Sequence, residues 1–134
     1  MKNPNDLRAP PNAPRPVFLN VLQIKMPVGA VTSILHRLTG LLLALGVPLA
    51  MYLLWRSLDG EAGFAQVRQL LQHFAVQVVL IGAVWALAHH MLAGVRHMLT
   101  DINIGSTLHT ARRSAWAVNG AAAVIALLAI RALP

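Results

Sequence analysis

Three apolar stretches, at residues 31–56, 71–99 and 114–131, constrain the fold of this chain more than any other feature. The hydrocarbon core of a bilayer is about 30 Å thick, and about 20 helical residues cross it. Lipid offers the backbone no hydrogen-bond partner, so each stretch is expected to be a helix. Of the 134 residues, 57% are hydrophobic and 11% are charged, whereas soluble domains carry about 25% charged residues. The sequence therefore predicts an all-α integral membrane protein, with three transmembrane helices in an up-down-up bundle.

We expect one membrane-anchor domain over residues 1–134, in which residues 1–30 form a cytoplasmic N-terminal segment. The first sixteen residues, MKNPNDLRAPPNAPRP, contain five prolines and no apolar run. They lack the apolar core of about 7–15 residues that a cleaved signal peptide needs. The N-terminus is therefore predicted to be an extended, retained tail.

The charges between the apolar stretches predict the orientation in the membrane. The segment between the first two stretches, SLDGEAGFAQVRQ at residues 57–69, is interpreted as a loop and carries Asp59 and Glu61 against Arg68. Positively charged segments stay on the cytoplasmic side. We expect a bacterial inner-membrane protein with a cytoplasmic N-terminus and a periplasmic C-terminus, or a matrix-facing N-terminus in an organelle. The basic residues on the cytoplasmic side are Lys2, Arg8, Arg15, Lys25, Arg112 and Arg113.

The net charge of +7 would suit a nucleic-acid partner. The basic residues, however, bracket the apolar stretches instead of gathering on one face, so we expect contacts with membrane lipids and no nucleic acid. The chain has no cysteine. This excludes a disulfide framework and any cysteine-ligated zinc or iron–sulfur centre held by this chain alone.

A first polar cluster lies in the stretch SILHRLTG, at the start of the first apolar stretch. Ser33 and Arg37 are four residues apart and share a helix face, and His36 lies on the neighbouring flank. At 1.5 Å per residue, all three lie within about 10 Å of the cytoplasmic boundary. A charge at this depth is costly and usually marks a functional site. The alternative is that Arg37 extends to the lipid headgroups and His36 bonds a neighbouring carbonyl.

A second polar cluster closes the second apolar stretch, in AHHMLAGVRHMLTDINIG at residues 88–105. His90, Gly94 and His97 are spaced four and three residues apart, which aligns them on one helix face, while His89 points about 100° away. His90 lies about 13 Å from the inner end of its stretch, by the helical rise. The two clusters thus lie at similar depths on neighbouring antiparallel helices, which favours a shared site.

A neutral imidazole is the usual axial ligand of a b-type haem. His90 is the candidate ligand, and Gly94, one turn away, would leave clearance for the flat macrocycle. Arg96 and His97 are candidates to pair with the haem propionates, and Asp101 to hold a cation or serve a proton path. The spacing alone also suits packing histidines, or the proton relay of a transporter.

The segment RPVFLNVLQIKMPVGAVTSILHRLTG, followed some fifty residues later by HMLAGVRHMLTD, closely resembles the cytochrome b-type membrane-anchor subunits of succinate dehydrogenase, respiratory complex II. Their pattern has an RP pair, then S-x-x-H-R-x-[ST]-G in the first helix and H-x-x-x-G-[IV]-R-H-x-x-x-D in the second. The matching residues here are Arg15, Pro16, Ser33, His36, Arg37, Thr39, Gly40, His90, Gly94, Val95, Arg96, His97 and Asp101.

This resemblance implies a non-autonomous enzyme subunit without catalytic residues of its own, because flavoprotein and iron–sulfur subunits carry out succinate oxidation. It implies haem b shared with a second three-helix anchor subunit, with His90 as one axial ligand and His36 near the propionates. Ser33 and Arg37 would line the site of ubiquinone, the substrate, beside the iron–sulfur subunit. Two alternatives remain: the anchor of a fumarate reductase, and a small membrane transporter or scaffold without haem.

Overall fold

The computed structural model describes residues 25–132, and almost all of them are helical. The elements in chain order are α1 (Val28–Leu58), α2 (Gly60–Leu71), α3 (Phe74–Asp101), α4 (Leu108–Ala129) and a 3₁₀ turn (Ile130–Ala132). In this part of the chain, α1, α3 and α4 with its 3₁₀ turn are long and apolar enough to cross a membrane. Their alternating directions confirm the predicted up-down-up bundle. The extended tail was predicted mostly over residues 1–24, which lie outside the described residues.

Each spanning helix extends beyond the apolar stretch from which it was predicted at one end or at both, although α3 begins at Phe74 instead of residue 71. The 31 residues of α1 make a helix about 46 Å long at 1.5 Å per residue, whereas the hydrocarbon core is about 30 Å thick. The fourth helix begins at Leu108 instead of residue 114, because Arg112 and Arg113 do not stop a helix that continues into the headgroup region. Charged residues therefore mark the edge of the hydrocarbon and not the end of the helix.

The segment between α1 and α3 differs from the sequence interpretation. The loop predicted over residues 57–69 is wrong, because the structure has the helix α2 over most of it. The twelve residues of α2 include too many polar side chains to be recognised as an apolar stretch. The apolar residues among them nevertheless recur every three to four positions. Such a pattern forms a helix with one apolar side.

A tight turn after α3 returns the chain into α4. The N–H of Ile104 donates to the carbonyl of Leu99 at 2.8 Å, and the N–H of Asn103 donates to that of Thr100 at 3.0 Å. Asn103 has a φ of 64°, the left-handed conformation with which many helices end. The turn satisfies the last carbonyls of α3 and brings α4 antiparallel beside it.

Small side chains fill the interior of the bundle, and large apolar ones face outward. Leucines such as Leu45 and Leu127 are more than half exposed. Lipid chains are as apolar as leucine, so little drives leucine inward, whereas alanine lets two backbones approach closely. The buried alanines are Ala86, Ala93, Ala115, Ala122 and Ala126.

A buried polar network joins the three spanning helices. Asn119 of α4 places its Oδ1 3.1 Å from Nε2 of His89 in α3 and 3.2 Å from the hydroxyl of Thr32 in α1. His89 and Thr32 are fully buried. A buried polar atom without a partner costs free energy, so this network favours one rotation of each helix about its axis. That rotation directs His89 towards α4.

Replacing Asn119 with alanine should destabilise the bundle, because the N–H of His89 then loses its acceptor inside the interior. Interhelical hydrogen bonds in membranes contribute about 0.6–2 kcal/mol each. We expect a decrease of about 1–2 kcal/mol in the free energy of unfolding, measured for the full chain by denaturation in detergent micelles. Gly120→Ala is the matched control, since a Cβ there meets nothing within 4 Å. Equal stability of the two variants would contradict a role for the network.

Candidate functional site

Three imidazoles lie together on the side of the bundle formed by α1 and α3. The ring of His36 stacks on that of His90, with centroids 4.3 Å apart and planes 11° from parallel. The ring of His97 lies 5.2 Å from that of His36 at a steeper angle. The structure thus brings together these residues of the two polar motifs, which are separated by about fifty positions in the sequence. We call them the histidine cluster.

The backbone of α1 holds the ring of His90. Its Nδ1 lies 3.0 Å from the carbonyl oxygen of His36. A carbonyl oxygen only accepts, so Nδ1 carries the hydrogen and donates it. In the neutral ring, Nε2 then keeps its lone pair, which is the form that binds a metal. Histidines that ligate metals commonly fix their other nitrogen on a carbonyl in this way.

Two glycines give these rings their space. A Cβ added to Gly40 would lie 2.8 Å from Cε1 of His90, which is closer than such contacts come. A Cβ added to Gly94 would lie 3.3 Å from Nε2 of His36. Gly94 therefore accommodates the ring of His36, and the clearance that it would leave for a macrocycle stays a prediction. Gly40 belongs to the first motif, but only the fold shows that His90 packs on it.

The neighbouring imidazole, that of His89, has a different environment. It is fully buried, its Nε2 bonds Asn119, and its ring lies 5.5 Å from that of Trp85. Its Nδ1 has no hydrogen-bond partner among the described residues, yet it is enclosed by the bundle. His90, in contrast, is only half-buried. His89 is therefore enclosed, whereas part of the His90 side chain is accessible from outside the bundle.

The side chains at this site could supply one ligand to a haem iron, but they are not arranged to chelate a metal ion on their own. In the described part of the chain, no group of three or more His, Cys, Asp or Glu side chains is arranged to hold a metal ion. Haem needs only one imidazole from each side, because the porphyrin supplies the other four nitrogens. The free Nε2 of His90, in a half-exposed position, fits this requirement.

The structure directs Arg96 away from the histidine cluster. Its Nε donates to the hydroxyl of Ser114 at 3.0 Å, and its Nη2 donates to the carbonyl of Ala111 at 3.1 Å. Both partners lie on α4. Arg96 thus joins α3 to α4 here, and its contact with a propionate stays a prediction.

Ser33 and Arg37 have no hydrogen bond or ion pair to any residue between 25 and 132. Ser33 is half-buried and Arg37 is exposed. A guanidinium in a membrane span is costly unless something neutralises it, so its partner has to lie outside this part of the chain. Asp101 is exposed at the end of α3, about 16 Å along the helix from His90, and the structure does not join it to the histidine cluster.

Comparison with known proteins identifies the family of this chain. A family model described as the succinate dehydrogenase/fumarate reductase transmembrane subunit matches residues 11–130. The chain is 30% identical over 116 residues to the succinate dehydrogenase cytochrome b556 subunit of Paracoccus denitrificans, covering 87% of this chain and 89% of that protein. It is 35% identical over 112 residues to the protein of the same name from Coxiella burnetii, covering 80% and 86%. With its three spanning helices and both motifs, the chain belongs to the transmembrane subunits of succinate dehydrogenase and fumarate reductase.

Proposed function

We propose that this chain is the haem b-binding membrane-anchor subunit of a succinate:ubiquinone oxidoreductase, complex II. The observation that carries the proposal is the anchored ring of His90, whose Nδ1–H donates to the carbonyl of His36 and whose Nε2 has no hydrogen-bond partner within residues 25–132. The names of the relatives, cytochrome b556 subunits, support haem b as the cofactor. The family match supports a membrane subunit of this enzyme.

In this proposal, His90 is one axial ligand, and His36 and His97 hold the propionates. Haem b, when bound, supplies reversible one-electron transfer. The carbonyl of His36 fixes the tautomer and direction of the His90 ring. His36 stacks beside that ring and would support it when haem is held. We infer that the second ligand comes from a second three-helix anchor subunit.

Ser33 and Arg37 are proposed to bind ubiquinone. A quinone oxygen gains negative charge as electrons arrive, and a fixed guanidinium in a partly dry site stabilises that charge. The hydroxyl of Ser33 can donate a hydrogen bond to such an oxygen or pass a proton to it. The exposed position of Arg37, without a partner in residues 25–132, supports a role that needs another molecule.

The soluble subunits are proposed to dock at the end of the bundle where α1 starts and α3 ends. Lys25, Arg112 and Arg113 lie at this end, which favours the cytoplasmic side of a bacterial inner membrane. The C-terminus is then periplasmic. The chain contains no cysteine, so a cysteine-ligated iron–sulfur relay has to belong to a partner subunit. The flavin and the oxidation of succinate are proposed to lie on a further partner subunit.

The anchor of a fumarate reductase is the second candidate, because the family description includes that enzyme. The potentials of the quinone and of the redox centres decide the direction of electron flow, and the sequence does not report them. The relatives named as succinate dehydrogenase subunits favour succinate oxidation. A haem-free transporter or scaffold would need neither a free His90 Nε2 nor a partner flavoprotein.

Replacing His90 with leucine should remove or displace the haem, because the free Nε2 disappears while the side chain stays apolar. The measurement is the optical spectrum of the purified complex in its oxidised and reduced forms. His73→Leu is the control, since this exposed histidine precedes α3 at the other end of the bundle. An unchanged haem spectrum in the His90 variant would assign the ligand to His89 or His97.

Replacing Gly40 with alanine should shift the haem spectrum without loss of the anchor, because the new methyl group has to push the ring of His90 aside. The matched control on the same helix is Gly46→Ala, where a Cβ meets nothing within 4 Å. Electron paramagnetic resonance of the oxidised haem reports the tilt of the axial imidazole. Identical spectra for the two variants would show that His90 is not the ligand.

Replacing Arg37 with alanine should slow quinone reduction about tenfold or more, because the charge that stabilises the reduced oxygen is lost. Succinate oxidation with an artificial soluble acceptor should stay unchanged, since it bypasses the quinone site. Arg68→Ala, on α2 at the opposite end, serves as the control. Equal loss of both activities in the Arg37 variant would mean that Arg37 serves assembly instead.

A further inference from the structure

We propose that α2 is an interfacial helix that binds the lipid surface at the end of the bundle opposite the histidine cluster. Its apolar side consists of Gly63, Phe64, Val67, Leu70 and Leu71. This inference concerns a part of the chain that the proposed haem and quinone sites do not use. A test of this inference is therefore independent of the tests of the haem and quinone sites.

The sequence of α2 separates apolar from polar residues around the helix. At 100° per residue, the apolar side covers a sector of about 120°, and Glu61, Arg68 and Gln69 lie outside it. Phe64 is 57% exposed and Leu70 is 40% exposed. A short helix that is apolar on one side and charged or polar on the other lies in the plane of a membrane surface instead of crossing it.

Contacts with the end of α1 fix the direction of the apolar side. Gly63 is buried, and its Cα packs so closely on the carbonyl of Arg56 that no side chain fits between them. Nη2 of Arg56 also donates to Oε1 of Gln66 at 2.8 Å. Val67 lies about 40° from Gly63 around the helix and is half-buried, so this edge of the apolar side faces the last turn of α1. Phe64 lies about 100° from Gly63, and its side chain stays exposed.

Exposed apolar and aromatic residues also lie on the two helices that α2 connects, at the ends next to it. Phe74, the first residue of α3, is 81% exposed. At the same end of α1, the rings of Tyr52 and Trp55 lie 6.0 Å apart and are both exposed, as in the aromatic belts of membrane interfaces. An interfacial position of this end of the bundle would therefore expose Phe64 and Leu70 to lipid as well.

The charges of α2 indicate whether its binding depends on the charge of the lipid headgroups. Arg68 and Glu61 balance each other, so no cationic side attracts anionic headgroups. Burial of Phe64 and Leu70 therefore supplies the binding, and uncharged phosphatidylcholine suffices.

The full chain contains no cysteine, so single cysteines in it can be spin-labelled directly. We would label Phe64→Cys on the apolar side and Gln69→Cys on the polar side, and reconstitute each chain in phosphatidylcholine vesicles. Collisions with oxygen report lipid, and collisions with a water-soluble nickel chelate report water. The ratio of oxygen to nickel collisions should be severalfold higher at position 64 than at position 69.

Leu70→Cys repeats the measurement on the apolar side in case the label at position 64 disturbs folding. Equal ratios on the two sides would place α2 in water and overturn the proposal. Protection of position 64 from both reagents in the assembled complex would also overturn it, since a protein surface would then cover the apolar side.

Discussion

The hydrogen bond from Nδ1 of His90 to the carbonyl oxygen of His36 is the interaction on which the candidate site depends. It joins α1 to α3 at the level where both motifs lie. It also determines the tautomer, because a carbonyl can only accept, and so leaves Nε2 with its lone pair. The ring of His36 stacks on the imidazole of His90, and Gly40 leaves room for it because it has no side chain. Both contacts favour the position that the hydrogen bond gives this imidazole.

The lipid environment explains the rest of the bundle. Because lipid does not drive large apolar residues inward, the helices meet through alanines and through the network of Thr32, His89 and Asn119. That network turns His89 into the interior and His90, one residue later, towards α1. Two adjacent histidines thus have different surroundings: His89 bonds Asn119 in the interior, and the half-buried His90 bonds the backbone of α1.

The sequence predicts features that depend on one helix at a time. The apolar stretches predict the spans, and the spacing of His90 and His97 predicts their common face. Features that depend on how helices meet were missed. The sequence of α4 does not indicate that Asn119 bonds the other helices. Arg96 bonds residues of α4. Gly94 accommodates His36 because of the rotation of α1 relative to α3. The helix α2 was missed for another reason: its length and polarity resemble those of a loop.

The convergence of the two polar motifs into one redox site can be tested on the unmodified protein. The complex would be purified from membranes, its subunits identified by mass spectrometry, and its optical spectrum recorded during a reductive titration. A b-type haem band that rises on reduction, in an assembly that also contains a flavoprotein, an iron–sulfur subunit and a second anchor, is the expected result. Absence of haem from an intact assembly of these subunits would contradict the site and leave only a three-helix anchor.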